Sequence, residues 1–163
     1  MSDAETEIER KFLVADPAVV LNRTGQRIEQ AYLFTDHTTL VRLSRLAGRW
    51  RLTIKDARPR LVRNEFHVVL PDELGAALFG SGAARVSAKL RYQVPYQGRM
   101  WFVDVHDGTG FALAEVELTR AGEELEIPPW CGAEVTGDPA FLDVAMARPR
   151  QWPAQTGRSG DRT

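Results

Sequence analysis

The amino-acid sequence predicts a mainly β protein: an eight-stranded antiparallel closed β-barrel, a tunnel, with a few short peripheral helices. Three observations carry that prediction. Apolar and polar residues alternate over repeated stretches of about seven to ten residues. Residues suited to tight backbone reversal separate those stretches. Charged residues recur inside them at spacing two, which puts them on one face of each strand.

In chain order, strands are expected near 5–14, 27–34, 38–46, 50–56, 62–70, 84–93, 99–106 and 111–120, enough to close a barrel. Thr35-Asp36-His37, Ala47-Gly48-Arg49, Gln97-Gly98 and Asp107-Gly108-Thr109-Gly110 supply reversals, so consecutive strands should be antiparallel neighbours. Three short helices interrupt the alternation. Two start at Asp16-Pro17 and Asp138-Pro139, where Asp caps and Pro fits the first turn. The third covers about 71–79, from Pro71-Asp72-Glu73 to Gly80-Ser81-Gly82. Residues 1–148 read as one domain and 149–163, which lack periodicity, as a flexible tail.

Composition narrows the function classes. The 163 residues are 44% apolar and 26% charged, ordinary values for one globular domain. With 21 Lys and Arg against 22 Asp and Glu, there is no bulk attraction to nucleic acid or to an anionic membrane surface. Cys131 is the single cysteine, which excludes an internal disulfide framework and a cysteine-based zinc site, and a reducing cytoplasm is the expected location. No apolar run approaches the roughly 20 residues needed to cross a bilayer as a helix.

The charges point inward. Glu7, Glu9 and Lys11 share one face of the first strand, and Glu115 and Glu117 share one face of the last. Arg63 with Glu65, and Lys89 with Arg91, follow the same spacing, while Arg42, Lys55 and Asp104 are single charges among apolar neighbours. Like charges two residues apart repel unless something of opposite sign lies between them. A polar lumen satisfies that condition: Glu7, Glu9, Glu65, Asp104, Glu115 and Glu117 balance Lys11, Arg42, Lys55, Arg63, Lys89 and Arg91 one for one. Clustered carboxylates suit Mg2+ or Mn2+, clustered Lys and Arg suit phosphoryl oxygens, and a metal-bound polyphosphate needs both. Phosphoryl transfer to water is the natural chemistry of such a site.

The segment Glu7-Ile8-Glu9-Arg10-Lys11-Phe12-Leu13-Val14 resembles the ExExK signature of the CYTH, or triphosphate tunnel metalloenzyme, superfamily. The likeness is colinear from residue 5 to about 146. It continues through Gln30-Ala31-Tyr32-Leu33, Val41-Arg42-Leu43, Leu52-Thr53-Ile54-Lys55, Arg63-Asn64-Glu65-Phe66, Lys89-Leu90-Arg91-Tyr92, Asp104, Ala114-Glu115-Val116-Glu117-Leu118 and Glu134-Val135-Thr136-Gly137-Asp138. The resemblance implies a tunnel that binds triphosphate-containing substrates with Mg2+ or Mn2+. By position, Lys11, Arg42, Lys55, Arg63, Lys89 and Arg91 would grip phosphate, and Glu7, Glu9, Glu65, Glu115 and Glu117 would organise metal. Lys11 or Lys55 would assist proton transfer if neighbouring cations depressed its pKa. Many relatives dimerise, so a homodimer is a further expectation.

Two positions depart from the pattern. Ser44 stands where the family has a second arginine, and His67 where it has a second glutamate. His67 admits three readings: a metal ligand, an imidazolium replacing the lost arginine, or a hydrogen-bonded wall residue. Phe141 and Asp143 stand where Tyr and Asn are common. Arg45 would reach the lumen only through a bulge. His37 and His106 read as turn or strand residues, and Trp50, Trp101, Trp130 and Trp152 as packing or rim residues. The leading expectation is hydrolysis of inorganic triphosphate. An adenylate cyclase of the class IV type, or a polyphosphate-binding module that has lost catalysis through Ser44 and His67, are the alternatives.

Overall fold

The computed structural model describes residues 4–58, 61–81 and 85–149. The alternating stretches form β1 (Ala4–Val14), β2 (Gln26–Thr35), β3 (Thr39–Leu46), β4 (Arg49–Asp56), β5 (Val62–Leu70), β6 (Arg85–Tyr96), β7 (Arg99–His106) and β8 (Ala112–Glu117). They pair antiparallel in the order β6, β2, β3, β4, β5, β1, β8, β7, and the β6–β7 pairing closes the ring. Closure leaves no open edge on the eight-stranded wall. Two of the tight turns have left-handed residues at both central positions, Ala47 (φ 48) with Gly48 (φ 79) and Gln97 (φ 46) with Gly98 (φ 76). That backbone matches the right-handed twist of the flanking strands.

Several expectations need adjusting. β8 ends at Glu117, three residues early, because only Leu118 N continues the ladder, to Ile8 O at 2.7 Å. β6 runs on to Tyr96 because residues 94–96 pair with 99–101 across the Gln97-Gly98 turn. Only one of the three helices is α-helical, α1 (Asp72–Ser81), which continues through Gly80. The Asp-Pro starts give single 3-10 turns, Pro17–Val20 and Pro139–Phe141, each capped by its Asp side chain on a backbone N–H at 2.9 Å. Two short strands were not anticipated: β9 (Cys131–Glu134), which pairs with β1, and β10 (Arg148–Pro149), which pairs with β6. Four and two residues are too few to show a period. Of the expected tail, 149–163, Pro149 belongs to β10, and the remainder, with Trp152, lies outside the described residues.

The two larger apolar clusters are on the outside of the barrel, while Tyr32 and Leu40, packed with Ala147, line the cavity. Phe12, Val94, Trp101, Val103, Ala114 and Val116 turn outward and are covered by Val19, Val20, Leu125 and Trp130. A second cluster, Ala31, Leu43 and Trp50, packs under Leu78 and Phe79 of α1. Helix and wall meet at Gly75, where a Cβ would fall 2.1 Å from Trp50 Cγ. These clusters cover part of the outer wall, the outward Ile54, Val62, Phe66 and Val68 of β4 and β5 remain exposed, and the inner face carries the charged residues. Among the described residues no helix is long and apolar enough to cross a membrane.

Candidate active site

The lumen is a cavity of about 620 Å3. Lys11, Arg42, Lys55, Arg63, Lys89 and Arg91 line it, as do Glu7, Glu9, Glu115 and Glu117. Strand alternation accounts for this: each of these side chains occupies an inward parity whose outward neighbours form the packing clusters. Glu65 and Asp104, also expected in the lumen, are buried in the wall, each covered by the base it pairs with.

One network spans β4, β5 and β1. Lys55 Nζ donates to Glu65 Oε1 at 2.7 Å and lies 3.7 Å from Glu7 Oε2. Arg63 approaches Glu7 at 2.8 Å and Glu9 at 3.5 Å. His67 Nε2 is 3.1 Å from the other oxygen of Glu65, and its Nδ1 is 3.1 Å from Thr53 Oγ1. Both ring nitrogens thus face groups of the wall, the carboxylate of Glu65 and the hydroxyl of Thr53. Arg45 points outward, its guanidinium 5.4 Å from the Trp50 ring centre and 3.8 Å from Glu29, and no bulge interrupts β3 at that point.

A second network spans β6, β7, β8 and the C-terminal half of β1. Asp104, fully buried, takes Lys89 at 2.5 Å and a two-pronged contact from Arg91 at 2.7 and 2.6 Å. Arg91 also reaches Glu115 at 2.5 Å, and Lys11 reaches the other oxygen of Glu115 at 2.8 Å. Thr136 backs this corner by accepting the Lys11 backbone N–H at 2.9 Å, while Glu134 next to it pairs with Arg10 on the exterior at 2.6 Å. The Glu134-Val135-Thr136-Gly137-Asp138 motif therefore braces β1 and leads into the short Pro139–Phe141 turn.

The residue that sequence reasoning underrated is Asp143. It enters the lumen from the segment after the Pro139–Phe141 turn and takes Lys89 at 3.0 Å and Arg42 at 3.2 Å, with His106 Nε2 3.7 Å away. Burial opposes its charge, but Lys89, Lys11 and Arg42 overcome that and hold the carboxyl well below its usual range. No strand period covers this segment, so nothing but its Asp-for-Asn departure marked it. His106, read as a plain strand residue, is buried against it, and that burial lowers its pKa.

Electrostatics separate the carboxylates. Glu115 is likewise buried, yet Lys11, Lys89 and Arg91 keep it ionised to unusually low pH. Glu9 goes the other way: burial, and next the charge of Glu115, push it up to about 8. Burial also works against the charge on Lys11, but Glu115, Glu9 and Asp143 outweigh it and raise the pKa. The condition under which Lys11 would assist proton transfer, a pKa depressed by neighbouring cations, is thus not met, because the carboxylates around it hold its proton on.

The donors facing the cavity suit a hard divalent cation. Glu7 Oε2 is buried without a hydrogen bond of proper geometry, although Arg63 lies 2.8 Å away, and Glu9 lacks the positive charge needed to ionise fully at neutral pH. These are oxygen donors, the chemistry Mg2+ and Mn2+ prefer. Among the described residues no three His, Cys or carboxylate side chains already form a cage. Glu65, tied to Lys55 and His67, is the least available of the five expected ligands.

Comparison with known proteins bears on this geometry. No family model matches the chain. An inorganic triphosphatase of Acetivibrio thermocellus is 33% identical over 145 residues, covering 87% of this chain and 93% of the relative. An inorganic triphosphatase of Nitrosomonas europaea is 33% identical over 150 residues, covering 87% and 97%. The crystal structure of the inorganic triphosphatase NE1496 superposes with a TM-score of 0.60 at 28% identity, over 86% of this chain and 93% of that one. A putative adenylate cyclase from Bacillus halodurans, with a TM-score of 0.57 at 19% identity over 72% and 82%, shares the fold. Likeness to these triphosphatases over most of their length, a closed antiparallel barrel and an ionic lumen agree on one assignment: the chain belongs to the CYTH, or triphosphate tunnel metalloenzyme, family.

Proposed function

We propose that this protein is a metal-dependent hydrolase of inorganic triphosphate, cleaving the terminal P–O–P bond with water to give pyrophosphate and orthophosphate. One observation carries the reading: Lys11, Arg42, Lys55, Arg63, Lys89 and Arg91 converge on a single cavity. Burying so many ions costs more than a well-packed apolar core of the same volume, so stability alone does not explain them. A chain of phosphates, with its closely spaced negative charges, does.

In this reading the six bases hold the phosphate chain along the tunnel. Arg42, Arg63 and Arg91 present planar forks to phosphoryl oxygens, while Lys11, Lys55 and Lys89 contribute point charges. Lys11 and Lys55 act as ammonium groups that stabilise charge on the transferring phosphoryl. Glu7, Glu9, Glu115 and Glu117 are the residues that would hold Mg2+ or Mn2+, with Glu65 supporting them through Lys55. A dication bound there neutralises phosphate charge and lowers the pKa of water. Asp104 and Glu115 keep Lys89 and Arg91 extended before substrate arrives, which reduces reorganisation in the transition state.

The names of the relatives support triphosphate over a nucleotide, whereas likeness to a putative cyclase extends to the fold alone. The test is phosphate release by the purified protein with triphosphate, ATP or thiamine triphosphate, each with Mg2+ or Mn2+ and with EDTA. Metal-dependent orthophosphate release fastest from inorganic triphosphate is expected. Cyclic AMP and pyrophosphate from ATP would replace the proposal with the cyclase, and binding without turnover would replace it with a receptor.

A further inference from the structure

Position 44 leaves a gap in the ring of bases, and the neighbouring strand faces it with one. Ser44 lines the cavity, and its Oγ is buried with no hydrogen-bond partner. Directly across from it on β4 stands Arg51. Cross-strand partners project to the same face with their Cβ atoms about 5 Å apart, well within the length of an arginine side chain. Arg51 shares its face with Thr53 and Lys55 and also lines the cavity.

Arg51 differs in one respect from the six bases that form the two networks. Lys11, Arg42, Lys55, Arg63, Lys89 and Arg91 each have a carboxylate partner. Among the described residues Arg51 makes no ion pair and no side-chain hydrogen bond. An exposed guanidinium on the cavity wall, next to an unpartnered hydroxyl, makes a two-donor position for an anion. Both groups are donors with no competing protein acceptor, and a guanidinium fork fits two oxygens of one phosphoryl group.

We propose that Arg51, with the Ser44 hydroxyl, binds a phosphoryl group of the substrate and supplies from β4 the cation that β3 lacks at position 44. The assignment rests on the triphosphate reading above. Local geometry favours it over repair by Arg45, the adjacent arginine in sequence, which is turned outward onto Trp50. Arg49 also lines the cavity, but it stands across from Leu46, where no polar partner waits. It serves as the control for a general effect of positive charge.

The experiment is a double-mutant cycle read by calorimetric binding of inorganic triphosphate without added metal, and by KM and kcat with it. Arg51→Gln is expected to weaken binding and raise KM by about tenfold or more, the usual loss for one charge-assisted contact, with a smaller change in kcat. Ser44→Arg in the Arg51→Gln background should recover most of that loss, while Ser44→Arg in the parent should gain little. Arg49→Gln should show no such coupling to Ser44→Arg. Parental affinity in Arg51→Gln, or a loss that Ser44→Arg does not recover, overturns the proposal. Should the double variant not melt cooperatively, Ser44→Lys with Arg51→Gln is judged by the same criterion. A parent that binds triphosphate without hydrolysing it sinks the enzymatic reading while Arg51 is still judged by binding; a parent that does not bind triphosphate sinks both.

Discussion

Asp143 is a resident anion in a site built for anions. Its contacts to Lys89 and Arg42 occupy donors that a phosphate chain would use. A charge-assisted hydrogen bond is worth about 1.5–3 kcal/mol. Substrate must displace this carboxylate or repel it, so Asp143→Asn is expected to lower KM for triphosphate about tenfold. Steady-state kinetics on the variant decides, and an unchanged or higher KM means the carboxylate does not compete. His67 acts differently, through Glu65. His67→Ala would leave the buried Thr53 hydroxyl and one Glu65 oxygen short of a partner, at a cost of about 1–2 kcal/mol in denaturant unfolding.

At the scale of elements, other segments cover much of the outer face of the barrel, though Ile54, Val62, Phe66 and Val68 on β4 and β5 stay exposed. α1 does this over Trp50, with Gly75 allowing the close approach. A side chain at that position must displace the indole or the helix, and overpacking of that kind costs about 1–3 kcal/mol. Gly75→Ala should therefore lower Tm by several degrees in a thermal melt while changing KM far less. A melt matching the parent would mean that α1 shifts freely over the sheet. β9 contributes in another way. It pairs with β1, and Thr136 just beyond it holds the Lys11 backbone, so it locks the strand that carries Glu7, Glu9 and Lys11.

For the whole molecule, charge in the lumen couples folding to solution conditions. Asp143 faces Lys89, Lys11, Arg42 and His106, and its folded pKa is depressed below the ordinary 3.8. A depressed carboxyl contributes stability that is present above the unfolded value and lost as pH falls through the folded one. Tm should accordingly drop below about pH 4, and Asp143→Asn should flatten that drop; equal acid slopes in the two proteins would contradict the linkage. A divalent cation acts through mass action instead. Mg2+ or Mn2+ at a hundred times its Kd should add about 2.7 kcal/mol of stability to EDTA-treated protein. Glu7→Gln with Glu9→Gln should remove that Tm increment and metal-dependent phosphate release together.

The eight wall strands and the inward set Glu7, Glu9, Lys11, Arg42, Lys55, Arg63, Lys89, Arg91, Glu115 and Glu117 were legible from alternation alone, because a period of two assigns every residue of a strand to one face. Ser44 and His67 stood out as departures for the same reason. The turn residues made consecutive strands expected neighbours, but alternation does not encode which residue lies across from which. The pairing of β4 with β3 sets Arg51 opposite Ser44; the closing contact of β6 with β7 buries Asp104 under Lys89 and Arg91; and a segment with no period brings Asp143 into the lumen. The first two follow from the registers of hairpins, and the third from a segment distant in sequence that folds back into the lumen. Local chain periodicity is enough to dictate a barrel and its charged face. Which of those charges neutralise one another, and which stay free for a ligand, follows from strand register and from contacts such as Lys11 with Glu115 and Lys89 with Asp143, because a local period does not encode what lies across from a residue.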